Sequence, residues 1–274
     1  MPVPLSPREL AEVAATLRSA GCVFAEEEAT LLAGAADTPE KLDAMVRDRS
    51  AGLPVEQVVG WAEFGGLRIL ADRGVFVPRR RSEFLVRTAA DLLAGSAAAT
   101  RAPVIVDMCC GTGAVGLALA ARTGAAELHA ADIDPVAVAC ARRNLAGAGP
   151  GTAAGTVYEG DLYDPLPASL RGRVDILLAN APYVPTAEIA LMPHEARVHE
   201  PRVALDGGPD GVSLHRRIAA GAPDWLASGG LLLIETSQRQ AALTAAAVSA
   251  AGLSARTVSD EDWSATVVIG GPAG

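Results

Sequence analysis

The apolar positions of this chain repeat in two registers. Before residue 50 they fall at helical spacing: Leu10, Val13, Ala14 and Leu17 recur three or four residues apart, like the buried stripe of an amphipathic helix. Ser6-Pro7-Arg8-Glu9 precedes that stripe as a capping-box pattern, and Gly21 is placed to end the helix. Two more helices are predicted over 26–36 and 39–49. Between residues 52 and 78 the apolar runs shorten and are broken by glycines. Trp61-Ala62-Glu63-Phe64-Gly65-Gly66-Leu67-Arg68-Ile69 predicts a β-hairpin linker. A helix is predicted next, over 82–94.

Beyond Thr100 the register changes. Strands are predicted at 104–107, 127–131, 155–159, 174–178, 231–235, 254–259 and 265–269, with helices at 114–122, 136–145 and 238–251. Such alternation makes an α/β fold, an open and largely parallel sheet covered on both faces. The last two strands have no helix between them and are expected to pair antiparallel. The division is therefore a helical bundle at 1–65, a hairpin linker at 66–83 and an α/β domain at 84–274.

Composition narrows the partners. The 274 residues carry 23 basic and 32 acidic side chains, net −9, and Lys41 is the only lysine. Nucleic-acid affinity is built largely on phosphate neutralisation, so no stable nucleic-acid binding is expected. The densest basic cluster is Arg79-Arg80-Arg81, an arginine patch expected beside the cleft and free to meet cofactor, substrate or solvent. Cys22, Cys109, Cys110 and Cys140 form no Cys-x-x-Cys pair, which reads as reduced thiols in the cytoplasm. No secretory pattern follows Met1 and no apolar run approaches the roughly 18 residues of a membrane span. A cytoplasmic protein with no membrane partner is expected.

In an open α/β sheet, ligands bind beyond the carboxyl ends of the strands, so those ends carry the candidate chemistry. The first ends in Asp107-Met108-Cys109-Cys110-Gly111-Thr112-Gly113, where glycines let a ligand approach the backbone and a helix N-terminus follows. The Gly111-x-Gly113 pair is by itself a weak signal, since a tight strand-to-helix turn needs glycine anyway. The second ends in Asp132-Ile133-Asp134-Pro135, where Asp132 suits a ribose diol and Asp134 the cap of the next helix. The third is followed by Gly160-Asp161-Leu162. Three carboxylates at successive strand ends describe a nucleoside pocket.

The fourth strand ends in Asn180-Ala181-Pro182-Tyr183. This resembles the Asn-Pro-Pro-Tyr tetrapeptide of methyltransferases that alkylate a planar amino nitrogen. Such a nitrogen is a poor nucleophile because its lone pair is delocalised. The Asn180 side-chain oxygen and the Ala181 carbonyl would accept its two N–H bonds, and Tyr183 would stack on the planar group. Ala181 in place of the first proline loses a locked φ but keeps the carbonyl. Pro182 holds Ala181 extended.

Taken together, these motifs resemble the HemK/PrmC-type family of protein-glutamine methyltransferases. The resemblance runs from about Val55 to Gly270 and includes Gly74-Val75-Phe76-Val77-Pro78-Arg79, Ser82-Glu83, and His199-Glu200-Pro201 through Gly211. It implies a small N-terminal helical domain before a Rossmann-like, seven-stranded S-adenosylmethionine-dependent methyltransferase domain. The implied reaction methylates the side-chain amide of a release-factor glutamine or of another protein glutamine. By position, Asp107 and Cys109, Cys110, Gly111, Thr112 and Gly113 would flank the cofactor's methionine part. Asp132 would take the ribose, Ile133 would pack on adenine, and Asp161 with Leu162 would sit at the adenine edge. Asn180, Ala181, Pro182 and Tyr183 would hold the substrate, with Asn180 also beside the cofactor and Asn180 and Tyr183 as the catalytic pair.

Departures from the family pattern are Cys109 for the usual glycine and Arg80-Arg81 for a proline and an acid. Cys109 and Cys110 are read as buried packing and not as metal ligands. His194-Glu195 and His199-Glu200, five apart, do not set two histidines on one helical face as a zinc motif does. That segment is read as a solvated or substrate loop, and His129 as structural. No metal is expected. Alternative readings are an adenine N6-methyltransferase acting on DNA or RNA, and a non-catalytic S-adenosylmethionine-binding protein.

Overall fold

A computed structural model describes residues 3–96, 101–124, 126–147 and 155–272; the outermost residues of the assigned bundle and α/β domain, 1–2 and 273–274, lie outside it. The bundle opens with α1 (Pro7–Ser19), whose Ser6 hydroxyl accepts from the Glu9 amide while Glu9 reaches back to the Ser6 amide. Both partners of the capping box are thus made. Then come α2 (Ala25–Ala35), α3 (Pro39–Ser50) and the short α4 (Val55–Val59), packed around Leu17, Leu32, Leu42 and Met45. The single turn α4 is too short to show a helical period in the sequence.

The hairpin comprises β1 (Trp61–Phe64) and β2 (Leu67–Leu70), paired antiparallel. Gly65 and Gly66 join them with φ of 58° and 78°, the double left-handed turn that matches strand twist. The expected boundary at residue 65 therefore cuts through the hairpin, whose first strand starts at Trp61. Asn144 ties this hairpin to the α/β domain. Its side chain accepts from the Leu70 amide at 2.7 Å and donates to the Leu70 carbonyl at 3.0 Å and the Thr112 carbonyl at 2.9 Å.

The linker leads through a short 3-10 turn into α5 (Glu83–Ala94). After it come β3 (Val104–Met108), α6 (Ala114–Thr123), β4 (Glu127–Asp132), α7 (Pro135–Ala146), β5 (Thr156–Glu159) and β6 (Val174–Ala179). Completing the domain are α8 (His194–His199), α9 (Ser213–Trp225), β7 (Leu226–Thr236), α10 (Ala241–Ala250), β8 (Ser254–Asp260) and β9 (Ala265–Gly271). The strands form one seven-stranded sheet in the order β5-β4-β3-β6-β7-β9-β8. Its pairings are parallel except that β9 runs antiparallel to both neighbours.

Every residue of β3 and β6 is buried, as strands covered on both faces must be. One core lies between the sheet and α5–α6, around Leu85, Ile105 and Leu119; the other lies beneath α9, around Met108, Leu177 and Ile218. Strand order reverses between β3 and β6. That is the switch point where an open sheet leaves a crevice, and it puts the end of β3 beside the end of β6, with Met108 opposite Ala179.

Candidate active site

A cavity of about 550 Å³ opens over this switch point, within the range of small-molecule sites. Its wall includes Asp107, Cys109, Cys110, Gly111 and Thr112 from the β3 turn, and Asp132 and Ile133 beyond β4. It also includes Asp161 and Leu162 beyond β5, and Asn180, Ala181, Pro182 and Tyr183 beyond β6. Of the residues assigned from sequence to cofactor or substrate, Gly113 alone is not in the wall. A Cβ on it would meet the Leu145 side chain at 2.8 Å, so its glycine serves the approach of α6 to α7.

The β3 turn is built from main-chain bonds. Cys110 donates to the Ala131 carbonyl at 3.0 Å, and Gly113 donates to the Cys110 carbonyl at 2.7 Å. Cys109 adopts φ of 56°, a left-handed conformation that costs a residue with a Cβ. Gly111 has φ of 55° and nothing within 4 Å of where a Cβ would stand, so its backbone is open to a ligand. Burial pushes the Asp107 carboxyl up to about 7, against the 2.8 Å bond it accepts from the Gly116 amide. Gly116 is the third glycine of a Gly-x-Gly-x-x-Gly run that starts at Gly111. A Cβ there would meet the Asp107 Cβ at 2.8 Å.

Asp132 accepts from the Gly111 amide at 2.8 Å and from the Asp134 amide at 3.0 Å. Burial raises its carboxyl pKa, opposed by those amides. Asp134 caps α7 through the Val136 amide, the role expected for it. Ile133 is exposed in the wall, an apolar platform. Asp161 pairs with Arg217 at 2.8 Å, a partner on α9, an element absent from the sequence reading.

At the β6 end, Asn180 Nδ2 donates to the buried Ser82 hydroxyl at 3.1 Å. The Tyr183 hydroxyl accepts from Arg81 at 2.8 Å, and Arg81 Nε lies 3.4 Å from the buried Glu235 carboxylate. Gln240 donates to the Tyr183 carbonyl at 2.7 Å. Burial first, and Glu235 second, raise the Tyr183 phenol pKa. His215 is fully buried against Tyr183, bonds Thr244 at 2.9 Å, and is pushed down to about 4 by burial. Gly207 lies so close that a Cβ would stand 2.7 Å from the Tyr183 Cα, and one on Gly211 would stand 2.4 Å from the Tyr183 carbonyl, which explains these two glycines of the 205–211 segment.

Two expectations change here. Arg79-Arg80-Arg81 is not a free basic patch. Arg79 pairs with the buried Glu200, Arg80 stands over Trp263, and Arg81 bridges Tyr183 and Glu235. Nor is the 194–200 segment a solvated loop. Glu195 pairs with Arg49 of α3 at 3.1 Å, and a Cβ on Gly52 would lie within 3.4 Å of both His194 and His199. Among the described residues no group of His, Cys, Asp and Glu could hold a metal ion, and no helix is long and apolar enough to cross a membrane. His129 bonds Tyr158 and Glu127 within the sheet.

Residues 66–211 match the family model described as "Methyltransferase small domain". With the fold and the carboxylate-edged cavity, this makes the chain an S-adenosylmethionine-dependent methyltransferase. The chain is 39% identical over 209 residues to a release factor glutamine methyltransferase of Mycolicibacterium smegmatis, covering 75% of this chain and 70% of that protein. It is 36% identical over 224 residues to a 4-amino-L-phenylalanine/4-methylamino-L-phenylalanine methyltransferase of Streptomyces pristinaespiralis, covering 81% and 74%. A methyltransferase structure from Pyrococcus furiosus shares the fold, with a TM-score of 0.52 at 15% identity over 75% of this chain and 89% of that one. The chain belongs to the release factor glutamine methyltransferase family.

Proposed function

We propose that this protein methylates the side-chain amide nitrogen of a protein glutamine, with a peptide-chain release factor as acceptor. One observation carries this reading: the Asn180–Tyr183 turn and the three carboxylate-bearing strand ends line a single cavity. Asp107 and the open Gly111 backbone suit the cationic methionine part of S-adenosylmethionine. Asp132 has lone pairs left for the ribose diol, Ile133 offers a face to adenine, and Asp161 with Leu162 forms its edge. When bound, the cofactor supplies an electrophilic sulfonium methyl.

The chain's own residues prepare the acceptor. Asn180 Oδ1 and the Ala181 carbonyl accept the two amide N–H bonds, hold the nitrogen in line, and stabilise the positive charge it acquires. The raised Tyr183 pKa keeps its phenol protonated, so its ring covers the planar amide without acting as a base. The proton leaves to solvent after transfer. Asn180→Ala should lower turnover by about 10²–10³-fold while the cofactor Kd changes little. Unchanged turnover would remove the turn from the active site.

Arg81 favours a second acceptor class. Its side chain is 44% exposed, with the guanidinium beside the Tyr183 ring, where it could pair with the α-carboxylate of a free aromatic amino acid bearing an amino group. The relative from Streptomyces pristinaespiralis is named for such substrates. Offering release factor and 4-aminophenylalanine side by side separates the two.

A further inference from the structure

We infer that Gln240 is a positioning residue: it clamps the main chain at Tyr183 and so sets where the Tyr183 ring stands over the acceptor. The inference rests on the Asn180–Tyr183 turn being the place where the acceptor sits. A ring that covers a planar amide works at one height and tilt, and a misplacement of about 1 Å can cost about a hundredfold in rate. Tyr183 lies beyond the end of β6 at Ala179, so no sheet ladder holds it. Among the described residues no main-chain amide bonds its carbonyl.

Gln240 supplies that bond from the N-cap of α10, where it is buried. Its Nε2 donates to the Tyr183 carbonyl at 2.7 Å and to the Asp210 carbonyl at 3.2 Å, while its Oε1 accepts from the Ser237 hydroxyl. Carbonyls accept and a hydroxyl can donate, so these three partners fix which way the amide faces. Both ends of the amide are satisfied, as a buried polar group requires.

The clamp joins two segments of the site. Val184 already ties the acceptor turn to the 205–211 segment, its amide donating to the Leu205 carbonyl at 3.0 Å and its carbonyl accepting from the Gly207 amide at 2.8 Å. Gln240 closes the join one residue earlier, at Tyr183 itself. A Cβ on Gly211 would overlap Gln240 Nε2, so that glycine leaves room for the amide. From one turn further along α10, Thr244 bonds His215 at 2.9 Å, and the His215 ring lies tilted against Tyr183 with centroids 6.4 Å apart. Arg81 holds the hydroxyl at 2.8 Å. Arg81 and His215 thus touch the ring, while Gln240 fixes the main chain from which the ring hangs.

The test uses the whole chain, assayed well below the melting temperature of each variant. Gln240→Met keeps the length and removes both donors; Gln240→Glu keeps the shape and, while ionised, has no donor. Each should lower kcat by about ten- to a hundredfold, with cofactor Kd close to wild type. A merely structural role would slow turnover in any background. In Tyr183→Ala, which keeps the carbonyl but has no ring to place, Gln240→Met should slow turnover no further, because the two residues act as one unit. An equal loss of kcat in both backgrounds would overturn the inference, as would full turnover in Gln240→Met or a matching loss of cofactor affinity. A second readout needs no turnover. In protein carrying 3-fluorotyrosine, the Tyr183 resonance, identified by its loss in Tyr183→Phe, should move in Gln240→Met while those of Tyr158 and Tyr163 stay in place. An unmoved Tyr183 resonance would overturn the inference. If wild type fails to methylate glutamine, the functional reading falls, while the ¹⁹F spectrum still judges the clamp.

Discussion

Asp107 Oδ2 accepts a 2.8 Å hydrogen bond from the Gly116 amide, and a Cβ on Gly116 would stand 2.8 Å from the Asp107 Cβ. The first turn of α6 thus closes directly onto the carboxylate at the end of β3. Gly116→Ala should push the two apart, costing about 1–3 kcal/mol of stability as overpacking does and weakening cofactor binding at least tenfold. Calorimetric titration and thermal melting check both. Wild-type affinity in the variant would show that Asp107 does not hold the cofactor.

The pH dependence of binding follows from the same carboxyl, which burial raises from 3.8 to about 7. Below about 7 it is protonated and offers no charge to a cationic ligand, so cofactor affinity should rise as pH climbs through that value. Stability of the ligand-free protein should move the other way. A carboxyl with a raised pKa in the folded state favours folding below its ordinary value and loses that contribution as pH rises through about 7. Asp107→Asn should flatten both profiles. Affinity of the wild type that stays level across this window would contradict the assignment.

The bundle is joined to the cavity wall by a charge. Arg49 binds Glu28 at 2.6 Å and Glu195 at 3.1 Å, with only 10% of its side chain exposed. Arg49→Met leaves Glu28 buried without a partner and should cost about 3–5 kcal/mol. The freed Glu195 lies in the wall, so acceptor KM should also rise. Denaturant melts that match wild type would refute the role given to this arginine.

Much of the α/β domain was legible because its strands and helices carry clean periods: the predicted strand at 104–107 and helix at 114–122 fall within a residue of β3 and α6. α9 was not, because Gly221 and Pro223 interrupt a segment that also carries the basic pair Arg216-Arg217. The start of β7 at Leu226 was hidden by Ser228-Gly229-Gly230, which reads as a turn but lies within the strand. The cavity wall was legible wherever a residue stands at a strand end. Its supports are not: Ser82 and Gln240 reach Asn180 and Tyr183 from 98 and 57 residues away. The pairing of the arginine cluster is hidden from sequence for the same reason, as its carboxylate partners lie 121 and 154 residues along the chain.

Cys109 holds a left-handed φ of 56° at the position where the family pattern has glycine. Cys109→Gly should remove that strain and stabilise the protein by roughly 0.5–1 kcal/mol. A fall in melting temperature instead would mean that the thiol's packing outweighs the strain.

The most direct test incubates purified protein with labelled S-adenosylmethionine and a release factor, and locates the label by peptide mass spectrometry. The account predicts one methyl group on the side-chain amide of a release-factor glutamine, lost with Asn180→Ala. A release factor recovered with no label on any glutamine would contradict it.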